Sequence, residues 1–241
     1  MRGDKIKFCP TLLTGLDIVT AQNVKNITSN GKSTLRFIDL FAGLGGFHHA
    51  MEKIGNKWGF QTECVFASEL RQDLRKLYSL NYGFPYEEIN SDITLLTDEN
   101  IIKTQVPDHD VLCAGFPCQP FSQAGKRKGF LDEGRGNMFD FICAIIEERA
   151  KSNDKPRFLL LENVSNLKGH DEGNTWRIIQ ERLDALGYYV SGEILSPHQF
   201  GIPQHRKRIY IVGLRKDLVD SKEYQPFEFP EKKEKLCDIT K

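Results

Sequence analysis

The residues most suited to chemistry lie in the segment Gly-Phe-Pro-Cys-Gln-Pro-Phe-Ser at residues 115–122. The apolar residues 110–114 before it predict a buried strand, and glycine and two prolines fix a sharp exit from that strand. Open α/β folds bind ligands at the carboxyl ends of their strands. We therefore interpret Cys118 as a candidate nucleophile. The alternative is a buried inert thiol, which better suits Cys113 inside the strand.

The residues that follow Cys118 favour a substrate-binding loop. Residues 122–129 combine small side chains with three consecutive positive charges at 126–128. Such a loop could close over a phosphate-bearing substrate, although an ordinary solvated loop has the same composition. The candidate residues of this loop are Gln119, Ser122, Gly125, Lys126 and Lys128.

A second chemical group follows the apolar strand predicted at residues 158–161. Glu162 comes at the end of this strand, where partial burial would raise its pKa and let it carry a proton near neutral pH. The alternative is a helix cap, because Asn163 and Ser165 are good capping residues.

A basic segment, residues 204–208, opens the last predicted strand. Alternation would place Gln204, Arg206 and Arg208 on one face. Two guanidinium groups there would suit a base carbonyl, a phosphate or the carboxylate of Glu162. The alternative is that these basic residues are ordinary solvent-exposed side chains without a specific role.

A cofactor site is predicted at the first strand–helix turn, which contains three glycines within residues 39–46. The turn is neither GxGxxG nor a P-loop, which disfavours dinucleotide and ATP binding. Glu69 follows the second strand and suits a ribose diol; Asp92, expected to end a third strand, suits an adenine amine. This order is expected for S-adenosylmethionine, whereas each acid alone could be a helix cap or a solvated charge.

The elements that must position these residues alternate along the chain. Strands are predicted at residues 35–40, 64–67, 110–114, 158–161, 188–195 and 208–214, and helices at 45–54, 70–80, 138–150 and 175–186. This alternation predicts an α/β fold with a doubly wound, mainly parallel sheet, whose last two strands are close enough to pair as an antiparallel hairpin. We divide the chain into an N-terminal extension (1–33), a catalytic domain (34–215) and a charged tail (216–241).

Composition narrows the class of protein. The 33 basic and 33 acidic residues cancel, which disfavours strong nonspecific nucleic-acid binding by this chain alone. Six cysteines without a CxxC pair indicate neither a disulfide scaffold nor a structural zinc site, and we expect no metal. The chain has no signal-peptide core and no apolar run near the ~20 residues of a membrane span. We therefore expect a cytoplasmic protein.

Together, the glycine turn, residues 115–122, Glu162-Asn163-Val164 and residues 204–208 resemble motifs of the DNA cytosine-5 methyltransferases. The resemblance covers roughly residues 35–215 and implies their Rossmann-like S-adenosylmethionine-dependent fold. It implies that Cys118 attacks C6 of a cytosine flipped out of double-stranded DNA. It also implies that Glu162 hydrogen-bonds the base, while Arg206 and Arg208 hold the active site and the base O2.

The resemblance also implies a pocket for S-adenosylmethionine. Phe41 would lie against the adenine, Glu69 would bind the ribose and Asp92 the adenine amine, and Gly115 and Pro117 would line the methionine side. The remaining pocket residues by resemblance are Ala42, Gly43, Leu44, Gly45, Gly46, Leu70 and Ile93.

The family pattern continues beyond the segments found here, with a target-recognition region and a Gly-Asn-Ser-Val-type segment. We expect this chain to be the catalytic subunit of a split enzyme whose second subunit supplies recognition; a truncated chain is the alternative. A tRNA cytosine-5 methyltransferase shares the motifs and is a rival. A noncatalytic S-adenosylmethionine-binding regulatory subunit and a generic thiol enzyme are further rivals.

Overall fold

The computed structural model describes residues 34–96, 98–117, 137–219 and 226–232. Six strands in this part of the chain form one sheet in the order β2-β1-β3-β4-β6-β5. The strands are β1 (Thr34–Leu40), β2 (Gln61–Ser68), β3 (Val111–Gly115), β4 (Phe158–Val164), β5 (Tyr188–Leu195) and β6 (Arg208–Arg215). The first four are parallel neighbours, whereas β6 runs antiparallel to both β4 and β5. The predicted α/β sheet with antiparallel C-terminal strands is therefore confirmed.

Helices cover both faces of the sheet because the strand residues are apolar in both directions. The helices are α1 (Gly46–Trp58), α2 (Gln72–Tyr82), α3 (Glu99–Gln105), α4 (Met138–Lys151) and α5 (Asn174–Ala185). Ile38 and Leu40 of β1 share one cluster with α3, α4 and α5. Leu35 and Phe37 join the opposite cluster with α1. The fold thus buries alternate residues of each central strand on opposite sides.

Two local predictions are wrong. No strand ends at Asp92: Asn90 makes a single parallel bridge to Ser68, and the Asp92 side chain accepts Thr94 N–H to start a short 3₁₀ helix. The last strand begins only at Arg208, so the alternation expected from Gln204 does not hold. The backbone N–H of Arg206 instead donates to Ser196 Oγ at 3.1 Å.

Helix α3 was not predicted from the sequence. Asp98 caps α3 by accepting the N–H groups of Asn100 and Ile101, and Ile102 is its buried residue. At only seven residues, this helix is too short for a clear helical period.

The predicted tail is described only in part. Within residues 226–232, Phe227 and Phe229 pack against the cluster that α1 covers. The predicted extension, residues 1–33, lies outside the described residues. In the part of the chain that the structure covers, no helix is long and apolar enough to cross a membrane.

Candidate active site

The chain leaves β1 through a strained turn. Phe41, Gly43 and Gly45 have positive φ angles of 56°, 57° and 81°. Ala42 N–H donates to Ser68 O at 2.9 Å, and Gly45 N–H donates to Ala42 O at 2.8 Å. A left-handed residue other than glycine costs about 1–2 kcal/mol, so the conformation of Phe41 persists because its surroundings hold it. The predicted turn residues lie together here, at the carboxyl end of β1: Phe41, Ala42, Gly43, Leu44, Gly45 and Gly46.

Glu69 is fixed beside this turn. Its Oε2 accepts Gly43 N–H at 2.8 Å, and its Oε1 accepts Arg71 N–H at 2.8 Å. The residue is buried, and its backbone N–H donates to Asn90 O at 3.0 Å. A carboxylate oxygen can accept two hydrogen bonds, and each oxygen of Glu69 accepts one from the described residues, so both oxygens retain capacity for a ligand hydroxyl. The Glu69 carboxylate is thus held in place and can still accept hydrogen bonds from a ligand.

The other residues predicted to contact the adenosine are Leu70, Asp92 and Ile93, and their side chains differ in exposure. Asp92 Oδ1 accepts from both the N–H and the hydroxyl of Thr94, at 2.9 and 2.7 Å. Its capping role is therefore real, and its Oδ2 accepts no hydrogen bond among the described residues. Leu70 is 70% exposed, whereas Ile93 is 4% exposed and belongs to the core.

The register of the sheet brings Gly115 and Glu162 side by side on neighbouring parallel strands. A Cβ placed on Gly115 would lie 3.6 Å from Glu162 Oε2 and 3.9 Å from Phe41 O. It would also lie 3.9 Å from the ring of Phe47 on α1. The absence of a side chain at residue 115 therefore leaves the space between the glycine turn and the Glu162 carboxylate open.

Glu162 lies inside β4, two residues before the strand ends, and it is paired with a cation. Arg208 Nε lies 2.8 Å from Glu162 Oε1, and each side chain is about one-fifth exposed. Burial raises the pKa of Glu162, while the charges of Arg208 and Arg206 oppose that rise. A carboxyl with a raised pKa beside a fixed guanidinium can accept or hold a proton at a ligand.

Arg206 contributes at longer range. Its side chain is exposed, and no ion pair joins it to Glu162 among the described residues. Its positive charge nevertheless opposes the rise in the pKa of Glu162 that burial causes. The antiparallel pairing of β4 with β6 sets Val164 opposite Arg208, which explains why Arg208 rather than Arg206 reaches the carboxylate.

Asn163 is a residue whose role sequence reasoning missed. It is 1% exposed, and its Nδ2 donates to Phe116 O at 3.0 Å. Its Oδ1 accepts Val164 N–H at 2.8 Å, so the predicted alternative of a helix cap is not its role. Phe116 directly precedes Pro117 and Cys118, so Asn163 ties β4 to the start of that loop. The available signal was an amide at the end of an apolar strand, since buried amides need partners.

The predicted nucleophile and loop residues lie outside the described residues: Cys118, Gln119, Ser122, Gly125, Lys126 and Lys128. The described residues before them are the buried Phe116, which contacts the ring of Phe139 at 5.6 Å, and the exposed Pro117. Among residues that the structure describes, no group of three or more His, Cys, Asp or Glu is placed to hold a metal ion.

One edge of the sheet thus gathers the glycine turn, Glu69, Gly115, Glu162 and Arg208. Comparison with known proteins identifies the family of the chain. Residues 35–241 match the family model described as C-5 cytosine-specific DNA methylase. The chain belongs to this family.

Type II methyltransferases from several bacteria are similar to the chain. The Type II methyltransferase M.HhaI of Haemophilus parahaemolyticus is 42% identical over 81% of the chain and 53% of its own length. M1.ScrFI of Lactococcus lactis subsp. cremoris is 38% identical over 95% of the chain and 54% of its own length. The chain therefore spans about half the length of the curated relatives it matches.

Solved structures share the methylase fold. The Dnmt2 methyltransferase of S. pombe aligns with a TM-score of 0.54 at 24% identity, covering 76% of this chain and 50% of that one. A Spodoptera frugiperda DNMT2 mutant aligns with a TM-score of 0.56 at 22% identity, covering 81% and 57%. At these identities the likeness concerns the fold.

Proposed function

We propose that this chain is the catalytic part of a DNA cytosine-5 methyltransferase. The observation that carries the proposal is the position of Glu162, whose Oε1 lies 2.8 Å from Arg208 Nε. A Cβ on Gly115 would lie 3.6 Å from Glu162 Oε2 and 3.9 Å from Phe41 O of the glycine turn, so Gly115 lies near both. The carboxyl proposed to bind the base and the turn proposed to bind the methyl donor therefore lie near each other. Membership of the C-5 cytosine-specific DNA methylase family supports the same reaction.

S-adenosylmethionine is the proposed donor, and it supplies a methyl group made electrophilic by its sulfonium sulfur. The residues of the turn fit this ligand because Glu69 is buried, oriented by two backbone N–H groups and still able to accept from a ribose diol. Asp92 retains Oδ2 for an amine, and Leu70 offers an exposed apolar side chain for the adenine ring. Phe41, Ile93 and Pro117 complete the proposed pocket.

Cys118 is the proposed nucleophile. Its thiolate Sγ forms a bond to C6 of the flipped cytosine, and the electron pair of the C5–C6 double bond moves onto C5 and is delocalised toward N3. Glu162 hydrogen-bonds N3 and the exocyclic amine, which stabilises the electron-rich ring. C5 then bonds to the methyl group while the donor sulfur keeps the electron pair of the broken bond. Loss of the C5 proton to a base and cleavage of the Sγ–C6 bond, whose electron pair leaves with sulfur, restore the C5–C6 double bond and the thiolate.

Arg208 is the proposed partner of both Glu162 and the base. Its Nε is committed to Glu162, whereas its guanidinium has further N–H donors that suit the cytosine O2. Arg206, exposed beside it, is proposed to hold the active site from the DNA side. The loop at residues 119–128 is proposed to contact the DNA backbone.

Duplex DNA is the proposed substrate, and the choice of target cytosine is proposed to lie outside residues 34–215, which form the proposed catalytic domain. The extension at 1–33 and the tail at 216–241 are the other proposed units. A second subunit as the source of recognition remains a prediction. The relatives' names do not mention one, and the relatives are about twice as long as the segment that matches this chain.

The test uses the purified 241-residue chain, alone and with the product of the adjacent reading frame. Calorimetry with S-adenosylmethionine and transfer of labelled methyl to duplex DNA or to tRNA are measured for the wild type, Cys118→Ser and Cys143→Ala. Burial raises the pKa of Cys143 to about 12, so its thiol is inert and serves as the matched control. We expect Cys118→Ser to bind the donor and lose transfer to DNA, and Cys143→Ala to keep both.

A second arm tests the covalent step with DNA containing 5-fluorocytosine. Fluorine cannot leave C5 as a cation, so the Sγ–C6 bond should persist and the protein–DNA adduct should survive denaturing electrophoresis. Absence of donor binding by the wild-type chain would refute the proposal as a whole. Transfer to tRNA alone would favour the rival substrate, and transfer by Cys118→Ser would exclude the covalent mechanism.

A further inference from the structure

Tyr82, the last residue of α2, reaches across to the glycine turn. Its hydroxyl lies 2.8 Å from Gly45 O and 3.2 Å from Leu44 O, so one O–H is shared between two carbonyls of the turn. The contact joins the helix that follows β2 to the loop that leaves β1. The turn is therefore tethered from one side by Tyr82 and from the other by Glu69, which accepts Gly43 N–H.

The ring of Tyr82 is itself held in place. It stacks on the imidazole of His48 at a centroid distance of 4.0 Å and an interplanar angle of 15°. His48 Nδ1 lies 2.7 Å from the hydroxyl of Tyr78, which donates to Asp39 Oδ2 at 3.3 Å. Burial lowers the pKa of His48 to about 4, so the imidazole is neutral at physiological pH. A buried chain of polar groups thus links Tyr82 to β1.

Ring and turn also match in shape. A Cβ on Gly45 would lie 2.1 Å from Cε2 of Tyr82, and the φ of Gly45 is +81°. Both the contact and the backbone angle exclude other residues at this position. Phe41 is the non-glycine residue at positive φ in this turn, so its backbone carries strain that a loosened contact would release.

We propose that Tyr82 is a positioning residue of the methyl-donor site, whose hydroxyl keeps the glycine turn in its ligand-binding conformation without touching the ligand. This inference rests on the proposed function, because it assigns S-adenosylmethionine to the turn. If the binding conformation is less populated after the hydroxyl is removed, the apparent affinity falls by the same fraction. Loss of one neutral hydrogen bond corresponds to a decrease of about fivefold.

Tyr82→Phe is the decisive variant, because it keeps the stacked ring and removes only the hydroxyl. Tyr86→Phe is the matched control: Tyr86 is half-exposed, lies in the short 3₁₀ helix after α2 and faces Arg75. Calorimetry on the purified 241-residue chain measures the Kd of S-adenosylmethionine and of S-adenosylhomocysteine. We expect both Kd values to rise about fivefold in Tyr82→Phe. We expect neither to change in Tyr86→Phe.

A structural role is separated from a positioning role by two further readouts. Urea unfolding should give Tyr82→Phe a midpoint close to that of Tyr86→Phe. In steady-state transfer assays Tyr82→Phe should raise KM for the donor while kcat and KM for DNA stay constant. Tyr82→Leu, which also removes the stacked ring, should weaken donor binding more than Tyr82→Phe does. Its Kd is measured by calorimetry at the same temperature.

The outcomes distinguish the inference from the proposed function. A wild-type chain that binds neither ligand overturns the proposed function and this inference with it. A wild-type chain that binds, with equal Kd values in wild type and Tyr82→Phe, overturns this inference alone. A lower unfolding midpoint with unchanged Kd in Tyr82→Phe also overturns it, since the hydroxyl would then serve stability only.

Discussion

Replacing Asn163 by alanine should disconnect β4 from the segment that leads to Cys118. The change removes the Nδ2 donor that lies 3.0 Å from Phe116 O and the Oδ1 acceptor of Val164 N–H. Phe116 is 2% exposed, so water does not readily replace the lost donor. Val164 is 38% exposed, so its N–H can turn to water. The cost therefore arises mainly at the Phe116 carbonyl.

A buried carbonyl left without a donor costs about 1–3 kcal/mol, and we expect the free energy of unfolding to fall by that amount. This corresponds to a change of roughly 5- to 150-fold in the unfolding equilibrium. Because the lost hydrogen bond lies directly before Pro117 and Cys118, kcat for methyl transfer should fall as well. Local release of the loop explains the loss of activity in protein that is still folded.

Tyr188→Phe is the matched control for Asn163→Ala. The Tyr188 hydroxyl is buried and donates to Pro156 O at 2.6 Å, so its loss also leaves a backbone carbonyl without its donor. Pro156 lies just before the first residue of β4. At a rise of about 3.3 Å per residue along an extended chain, it is about 20 Å from Glu162.

Urea unfolding and methyl-transfer kinetics are measured on both variants below their unfolding transitions. Both should lose similar stability, and only Asn163→Ala should lose turnover. Equal losses of turnover in the two variants, or an Asn163→Ala variant as stable as the wild type, would refute the reasoning.

Two further predictions concern the pH dependence of stability. Burial raises the pKa of Asp39 to about 8, so its contribution to stability is complete below about pH 4 and is lost as the pH rises toward 8. Asp39→Asn should therefore gain roughly 2–3 kcal/mol relative to wild type between pH 5 and 7 in urea unfolding, and a pH-independent difference would contradict this assignment. Arg208→Met removes a positive charge beside Glu162 and should raise the pKa of that carboxyl further. The free energy of unfolding of the variant should then keep falling to a higher pH than that of the wild type. The substitution should thus cost about 1–2 kcal/mol more at pH 8 than at pH 5; adding Glu162→Gln should remove that dependence.

Most of the fold was predictable because strands buried on both faces have a strong sequence signal. Apolar runs such as residues 158–161 and 208–214 predicted β4 and β6 to within a few residues. The prediction failed where polar side chains compete with the sheet for backbone groups. The Asp92 side chain accepts a hydrogen bond from Thr94 N–H and starts a 3₁₀ helix. Ser196 Oγ accepts a hydrogen bond from Arg206 N–H just before β6. Such local hydrogen bonds leave no periodic trace in the sequence.

The family and the candidate groups can be identified from residue types alone, because glycine, proline, cysteine and carboxylate residues follow the predicted strands in a specific order. The positions of these groups relative to one another depend on contacts between residues far apart in the chain. The register of β4 with β3 and β6 selects Gly115 and Arg208 as the neighbours of Glu162. Likewise, the packing of α2 against α1 brings Tyr82 to Gly45. Only tertiary structure decides such pairings, because a shift of one residue in strand register turns every side chain to the other face.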